Sequence, residues 1–176
     1  EANFAPTIPI TIGFGTNGSD AGGTTQDDIY AEGDIINLNA TPNAGYNFLS
    51  WTKINGSGTI ADANLANTTY TILAQDILDA NQIDFTANYE GQAVTINMVG
   101  SAGGTPTYSG SAIVGSTITL NNNVNAGYNF DSYLEDGVGT ITGNTYTILP
   151  ADGNNTITIT ASYSGQAVTI NMVGGT

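Results

Sequence analysis

Apolar and polar residues alternate along this chain with a period of two. Ile8, Ile10 and Ile12 alternate with Pro9 and Thr11, Ile36 and Leu38 with Asn37 and Asn39, and Val94, Ile96 and Met98 with Thr95 and Asn97. Ile118 and Leu120 alternate with Thr117 and Thr119, and Ile157 and Ile159 with Thr156, Thr158 and Thr160. Successive side chains of a strand point to opposite faces, so each run offers one apolar face to a core and one Thr/Asn face to water. Turn chemistry separates the runs. Gly33-Asp34 and Gly115-Ser116 each precede a strand, Asn43-Ala44-Gly45 and Asn125-Ala126-Gly127 tolerate positive φ, and Asn55-Gly56 and Asp136-Gly137 mark loop tips. Helical character is confined to Ala74 to Asn81, with Ile77 and Leu78 as its apolar pair. The matching stretch Pro150-Ala151-Asp152-Gly153-Asn154 reads as a turn, because Pro and Gly oppose helix. The pattern predicts an all-β chain with one helical turn.

The same pattern occurs twice. Gly91 to Gly100 recurs letter for letter as Gly165 to Gly174, Asn43 to Phe48 as Asn125 to Phe130, and Tyr70 to Leu73 as Tyr146 to Leu149. Blocks repeated in order with different loops between them are tandem copies of one module. The predicted organisation is an extended leader over residues 1–6, a first module over 7–91, a second over 92–165, and a segment 166–176 that opens a further copy. Each module is small but within the range of domains that fold alone.

Aromatic residues recur with the modules. Tyr46, Phe48 and Trp51 align with Tyr128, Phe130 and Tyr133. Tyr46 and Phe48 lie two apart and so share a face. Because both modules keep the set, it reads as core, with a stacking platform for sugar as the competing reading. The run Gly33 to Ala40, Thr41-Pro42, Gly45-Tyr46-Asn47-Phe48-Leu49-Ser50-Trp51, then Tyr70-Thr71 and the closing Phe85-Thr86-Ala87-Asn88-Tyr89 resembles the divergent internalin-B B-repeats of bacterial surface proteins. The second module departs from that pattern at Asn122-Asn123-Val124 and at Tyr133. The resemblance implies two small antiparallel β domains, compact sandwiches or β-grasp-like, in extracellular stalks, adhesive spacers and interaction modules. It carries over no catalytic residues.

Charge and composition narrow the function. The chain has 15 acids against one base, Lys53, with a formal charge of -14 and no histidine or cysteine. Nucleic acid and anionic membrane surfaces both call for clustered Lys and Arg, so neither is an expected partner. The absent cysteine and histidine remove disulfides, thiolate sites, an imidazole base and ordinary zinc or copper sites. Charged residues are only 9% of the chain, and Asn, Thr, Ser and Gly supply the polar surface, which suits a secreted or surface-displayed β protein. Forty per cent of residues are apolar and regularly placed, which a disordered linker lacks. No apolar run reaches the length that spans a bilayer, and the lack of a signal peptide fits a mature or trimmed chain.

The acids are the plentiful reactive groups. Asp20, Asp27 and Asp28 share one Gly/Thr loop, Asp76, Asp79 and Asp84 surround the helical turn, and Asp131, Glu135 and Asp136 lie near one loop. Calcium takes oxygen ligands from such loops. Asp20, Asp27, Asp28, Asp131, Glu135 and Asp136 are therefore its candidate ligands, although no spacing matches a recognised calcium loop and solvated carboxylates are the plainer reading. The modules do not share acids at matching positions, which opposes glycosidase chemistry. An internal amide from Lys53 is opposed by the absence of lysine from the second module. Asn-x-Ser/Thr sequons at Asn17, Asn39, Asn55, Asn67 and Asn154 are candidate glycosylation sites.

The segment 166–176 would leave Val168, Ile170 and Met172 on an unpaired strand edge. It either begins a further repeat or is donated to a neighbour. The expected function is a non-enzymatic structural repeat of a surface stalk or filament, needing no cofactor, whose partners are adjacent repeats or copies of itself. An adhesin-type module that binds glycan or protein, with calcium-ordered loops, is the alternative.

Overall fold

The computed structural model describes residues 8–25, 30–79 and 82–172, and the chain divides into units Glu1–Gly91 and Gln92–Thr176. The predicted leader and residues 80–81 of the predicted helix lie outside the described residues.

In the first unit, the alternating runs become β1 (Ile10–Gly13), β2 (Gly18–Asp20), β3 (Ile35–Pro42), β4 (Tyr46–Ile54), β5 (Asn67–Thr71) and β6 (Ile83–Gly91), with helix α1 (Ala74–Asp79) between the last two. One sheet has the order β1-β6-β4 and the other β2-β3-β5. Ile36 and Leu38 of β3, Tyr70 of β5, Trp51 of β4 and Ile83, Phe85 and Ala87 of β6 meet in one buried cluster with Ile8, Tyr30, Ala40 and Ile72. The second unit repeats this plan with β7 (Thr95–Val99), β8 (Thr107–Ser109), β9 (Thr117–Asn121), β10 (Tyr128–Glu135), β11 (Thr140–Thr142), β12 (Thr145–Thr147) and β13 (Thr156–Gly165). Its sheets run β10-β13-β7 and β11-β12-β9-β8. Here the helix shrinks to a 3-10 turn at Pro150–Asp152, as the proline and glycine of that stretch require.

Two small β units in tandem are what the alternation predicts, but the pairing is not purely antiparallel. β1 runs parallel to β6, with Ile10 opposite Ile83, and β7 runs parallel to β13, with Ile96 opposite Ile157. The cause is chain order. The first and last strands of a module lie side by side with the whole module as their crossover, and a parallel pair needs at least a dozen connecting residues.

The aromatic set also differs from its predicted role. Trp51 is buried, whereas Tyr46, Phe48, Tyr128, Phe130 and Tyr133 are half-buried, and the fully buried rings are Tyr70, Phe85 and Tyr146. A register shift between Phe48 and Ser50 explains the change. The extra residue turns Trp51 onto the face of Phe48, so their rings meet at 5.9 Å. The same shift between Phe130 and Ser132 brings Phe130 and Tyr133 to 4.6 Å. The rings then lie along the rim of the core rather than at its centre.

Glycine 33 enters β3 with φ +89 and open space where a Cβ would stand. Its N–H donates to the Ile72 carbonyl, as that of Gly115 does to the Ile148 carbonyl. With no clash to relieve, Gly33→Ala is expected to cost only the left-handed strain, about 1 kcal/mol in urea unfolding.

Candidate functional site

The Tyr-Thr-Ile-Leu blocks extend further than their spelling. Three residues past each leucine stands an aspartate, Asp76 and Asp152, so the modules do share an acid at a matching position, contrary to the expectation from sequence, and these two are the buried charged residues among those described. Tyr70 donates its hydroxyl to Asp76 Oδ2 at 2.8 Å, and the Leu73 N–H donates to the same oxygen at 2.9 Å. The Ser57 N–H closes on Asp76 Oδ1, and the Gly58 N–H donates to the Tyr70 hydroxyl at 2.9 Å. The second unit reproduces the arrangement. Tyr146 donates to Asp152 Oδ2 at 3.0 Å, Leu149 N–H to Oδ2 at 3.0 Å, Val138 N–H to Oδ1 at 2.9 Å, and Gly139 N–H to the Tyr146 hydroxyl at 3.1 Å. Each carboxylate therefore joins a glycine loop, a strand-end tyrosine and the first turn after it.

The surroundings set the protonation of these groups. Burial above all, then the hydrogen bond to Asp76 and its charge, push the Tyr70 hydroxyl up to about 12, against the lowering effect of the Gly58 N–H. Tyr146 is likewise pushed up to about 12, first by burial and then by Asp152, with Glu135 adding to it. Burial alone would raise Asp76, but the N–H groups of Leu73 and Ser57, the Tyr70 hydroxyl and the charge of Lys53 together hold it below the ordinary carboxylate value. Every polar atom of the tie points at another. It fastens the loop to the core.

Next to the tie the units differ. A cavity of about 270 Å³ in the second unit is lined by Asp136, Gly137, Asp152 and Ile157 among others, while the equivalent place in the first, at Gly56, Asp76, Asp79 and Ile83, keeps about 10 Å³. Asp76 and Asp79 of helix α1 line the small space, and Ala151 and Asp152 of the shorter 3-10 turn line the large one. The cavity is thus peculiar to one unit, unlike a site the repeat would present in every copy.

The described calcium candidates, Asp20, Asp131, Glu135 and Asp136, do not form a three-acid group. Asp20 Oδ1 accepts from the Gly22 N–H and the Thr24 hydroxyl, Asp131 Oδ1 from the Ser164 hydroxyl, and Asp136 Oδ1 from the Thr158 N–H. Asp27 and Asp28 lie outside the described residues. Among the described residues no three acids gather as a metal-holding group. Lys53 donates from Nζ to the carbonyls of Gly56 and Gly58. Of the sequons, Asn55, Asn67 and Asn154 are exposed and Asn17 and Asn39 half-buried, and Asn55 Nδ2 donates to the Gln82 carbonyl. Of the half-buried rings, Phe48 meets Tyr89 and Phe130 meets Tyr163 edge to face, each at 6.0 Å.

The segment after β13 was expected as a strand, yet residues 166–172 belong to none. Its first residue is anchored, with the Gln166 N–H on the Gly127 carbonyl and its amide on the Tyr128 carbonyl and Asn129 Oδ1. Beyond it Val168, Ile170 and Met172 are 83%, 79% and 91% exposed. A strand needs a partner for its ladder, and both sides of β13 are already taken, by β10 and β7.

Among the described residues no helix is long and apolar enough to cross a membrane. A family model for the divergent InlB B-repeat domain matches the chain twice, over residues 9–93 and 94–170. No curated protein and no solved structure matches it.

Proposed function

The chain belongs to the divergent InlB B-repeat family, and on that premise we propose that it is a non-enzymatic structural repeat of a cell-surface stalk or filament, built by joining modules end to end. The observation that carries this reading is the segment Gln166–Met172. It spells the same residues as Gln92–Met98, which enter the second unit as the lead-in and β7, where Val94 is only 7% exposed. The later copy follows directly on Gly165, the end of β13. A strand parallel to β13 would have to start beside Thr156, at the far end of a ten-residue strand and about 30 Å back. The segment itself cannot supply the dozen or more crossover residues this takes. It fits instead the slot beside the last strand of another module, either the next in the same polypeptide or one in a neighbouring copy, where it would take the place of β1 or β7. Both arrangements add modules in one direction, and a head-to-tail contact that does not close makes a fibre.

Two measurements test the reading. Extending the chain past Val173-Gly174 with a copy of residues 101–165 is expected to slow amide exchange at residues 168–172 to the level of 94–98. Amides that stay fast there would defeat end-to-end joining. Ordered fibres of the unextended chain in electron microscopy, lost on deleting residues 166–176, select donation between copies over continuation within one polypeptide. The adhesin alternative has less behind it, because Phe48, Phe130 and Tyr133 pack on other rings. Specific glycan binding that Tyr133→Ala abolishes without unfolding, with calcium present or absent, would reinstate it.

A further inference from the structure

Lys53 and Glu135 hold the same position in the two units. Lys53 stands opposite Phe85 across β4 and β6, and Glu135 opposite Ile159 across β10 and β13. Phe85 and Ile159 in turn follow the buried Ile83 and Ile157 by two residues. Each position leads into a Gly-x-Gly-Thr-Ile run, Gly56 to Ile60 and Gly137 to Ile141, whose middle N–H reaches the buried aspartate and whose second glycine N–H reaches the buried tyrosine. The chain's single base therefore stands where its duplicate has an acid.

In the first unit this place holds a cation. The Lys53 ammonium donates to the Gly56 carbonyl at 2.7 Å and to the Gly58 carbonyl, and lies 5.2 Å from the centre of the Tyr70 ring. Its positive charge acts on the buried Asp76. The second unit keeps the glycine run, the tyrosine and the buried carboxylate but inverts the charge beside them. Glu135 is half-buried, and its field falls on the Tyr146 hydroxyl, itself bonded to Asp152. The second unit thus has no side-chain cation at the place where the first sets one beside its buried carboxylate. The side chains also match in reach. A glutamate oxygen is one atom nearer the backbone than a lysine nitrogen, and a calcium–oxygen bond of about 2.4 Å carries the ion out to where the ammonium would sit.

We propose that the second unit takes a hard cation of the calcium class from solution at the place where the first unit uses Lys53, with the Glu135 carboxylate and the carbonyl oxygens of Gly137 and Gly139 as ligands and water completing the shell. One carboxylate and two carbonyls make a weak site, in the range of roughly 10⁻⁴ to 10⁻³ M typical of extracellular modules. The inference stands apart from end-to-end joining, since it concerns one unit alone.

The test is a calcium chloride titration of the full chain at constant ionic strength, read by amide chemical shifts and by the melting of the second unit. Saturable shifts confined to residues 135–140 are expected. The melting temperature of the second unit should rise by about 5 °C in 10 mM calcium relative to chelator. Glu135→Gln should stay folded and lose both responses. Glu135→Lys should melt at the same temperature with and without calcium, at or above the calcium-bound parent, because it restores the internal ammonium. Conversely, Lys53→Glu should confer the response on the first unit. No saturable shift by 20 mM calcium chloride, or shifts that persist in Glu135→Gln, overturns the assignment.

Discussion

Asp76→Ala is expected to destabilise the first unit by about 4 kcal/mol, enough to leave it largely unfolded under mild conditions. The carboxylate receives the Tyr70 hydroxyl and the N–H groups of Leu73 and Ser57 at a site only 2% exposed. Removing it strands three donors, and each buried donor left unpaired costs about 1–3 kcal/mol. Water entering the truncated site recovers part of that, which is why the sum falls short of three full penalties. Small domains hold only about 5–15 kcal/mol in total. Asp76→Asn keeps the volume and one acceptor but turns an N–H₂ toward a donor, so about 2 kcal/mol is expected. The chain's one tryptophan makes the effect local to read. Trp51 is buried in the first unit, so its fluorescence follows that unit in urea. Asp152→Ala should unfold the second unit by the same mechanism and leave the Trp51 transition in place. Asp131→Ala, which removes an exposed carboxylate, should stay within about 0.5 kcal/mol of the parent. A change below about 1 kcal/mol for Asp76→Ala would mean that the tie is ornamental to the fold.

That tie lies within reach of the sequence by spacing, though not by identity. Tyr70-Thr71-Ile72-Leu73 and Tyr146-Thr147-Ile148-Leu149 were visible as a repeat, and an aspartate follows each at the same distance. The intervening Ala74-Gln75 and Pro150-Ala151 differ, so letter identity ends at the leucine. Spacing would have carried further than identity: a residue kept at i+6 from a core tyrosine, across a helix in one copy and a 3-10 turn in the other, holds a position rather than a local structure. Ile36 and Leu38, with Ile118 and Leu120, were legible because a half-buried strand writes its buried face into every second residue. The parallel pairs of β1 with β6 and β7 with β13 were not, since alternation says which face is buried but not which distant strand lies alongside. The bulge that turns Trp51 inward was likewise hidden, because a period-two reading places it opposite Phe48. The charge inversion from Lys53 to Glu135 became meaningful only once register aligned the two, since the first unit has one more residue before its glycine run.

Alkali should weaken both units together, between pH 10 and pH 12. Tyr70 and Tyr146 ionise near pH 10 in the unfolded chain and at about 12 in the folded one. Between those values the unfolded state has released a proton that the folded state still holds, so stability falls as pH rises. The contribution is complete below pH 10 and gone above about 12. Two pH units correspond to about 3 kcal/mol for each tyrosine. At the acid end the sign reverses, because Asp76 is held below its ordinary value: its contribution is present above the ordinary carboxylate range and fades as pH falls through the folded value. Stability of the first unit should therefore form a plateau across neutral pH with a fall on each side, and the alkaline fall should be unusually steep for a chain with one lysine and no cysteine. Urea midpoints at pH 8, 10, 11 and 12 measure it. Tyr70→Phe is the decisive variant. At pH 8 it should cost the first unit about 1–2 kcal/mol through the lost bond to Asp76. Above pH 10 the Trp51 transition should lose most of its pH dependence, with a remainder from Tyr89, which burial also raises. The parent's slope surviving intact in Tyr70→Phe would place the alkaline sensitivity elsewhere and remove the buried tyrosine from the account.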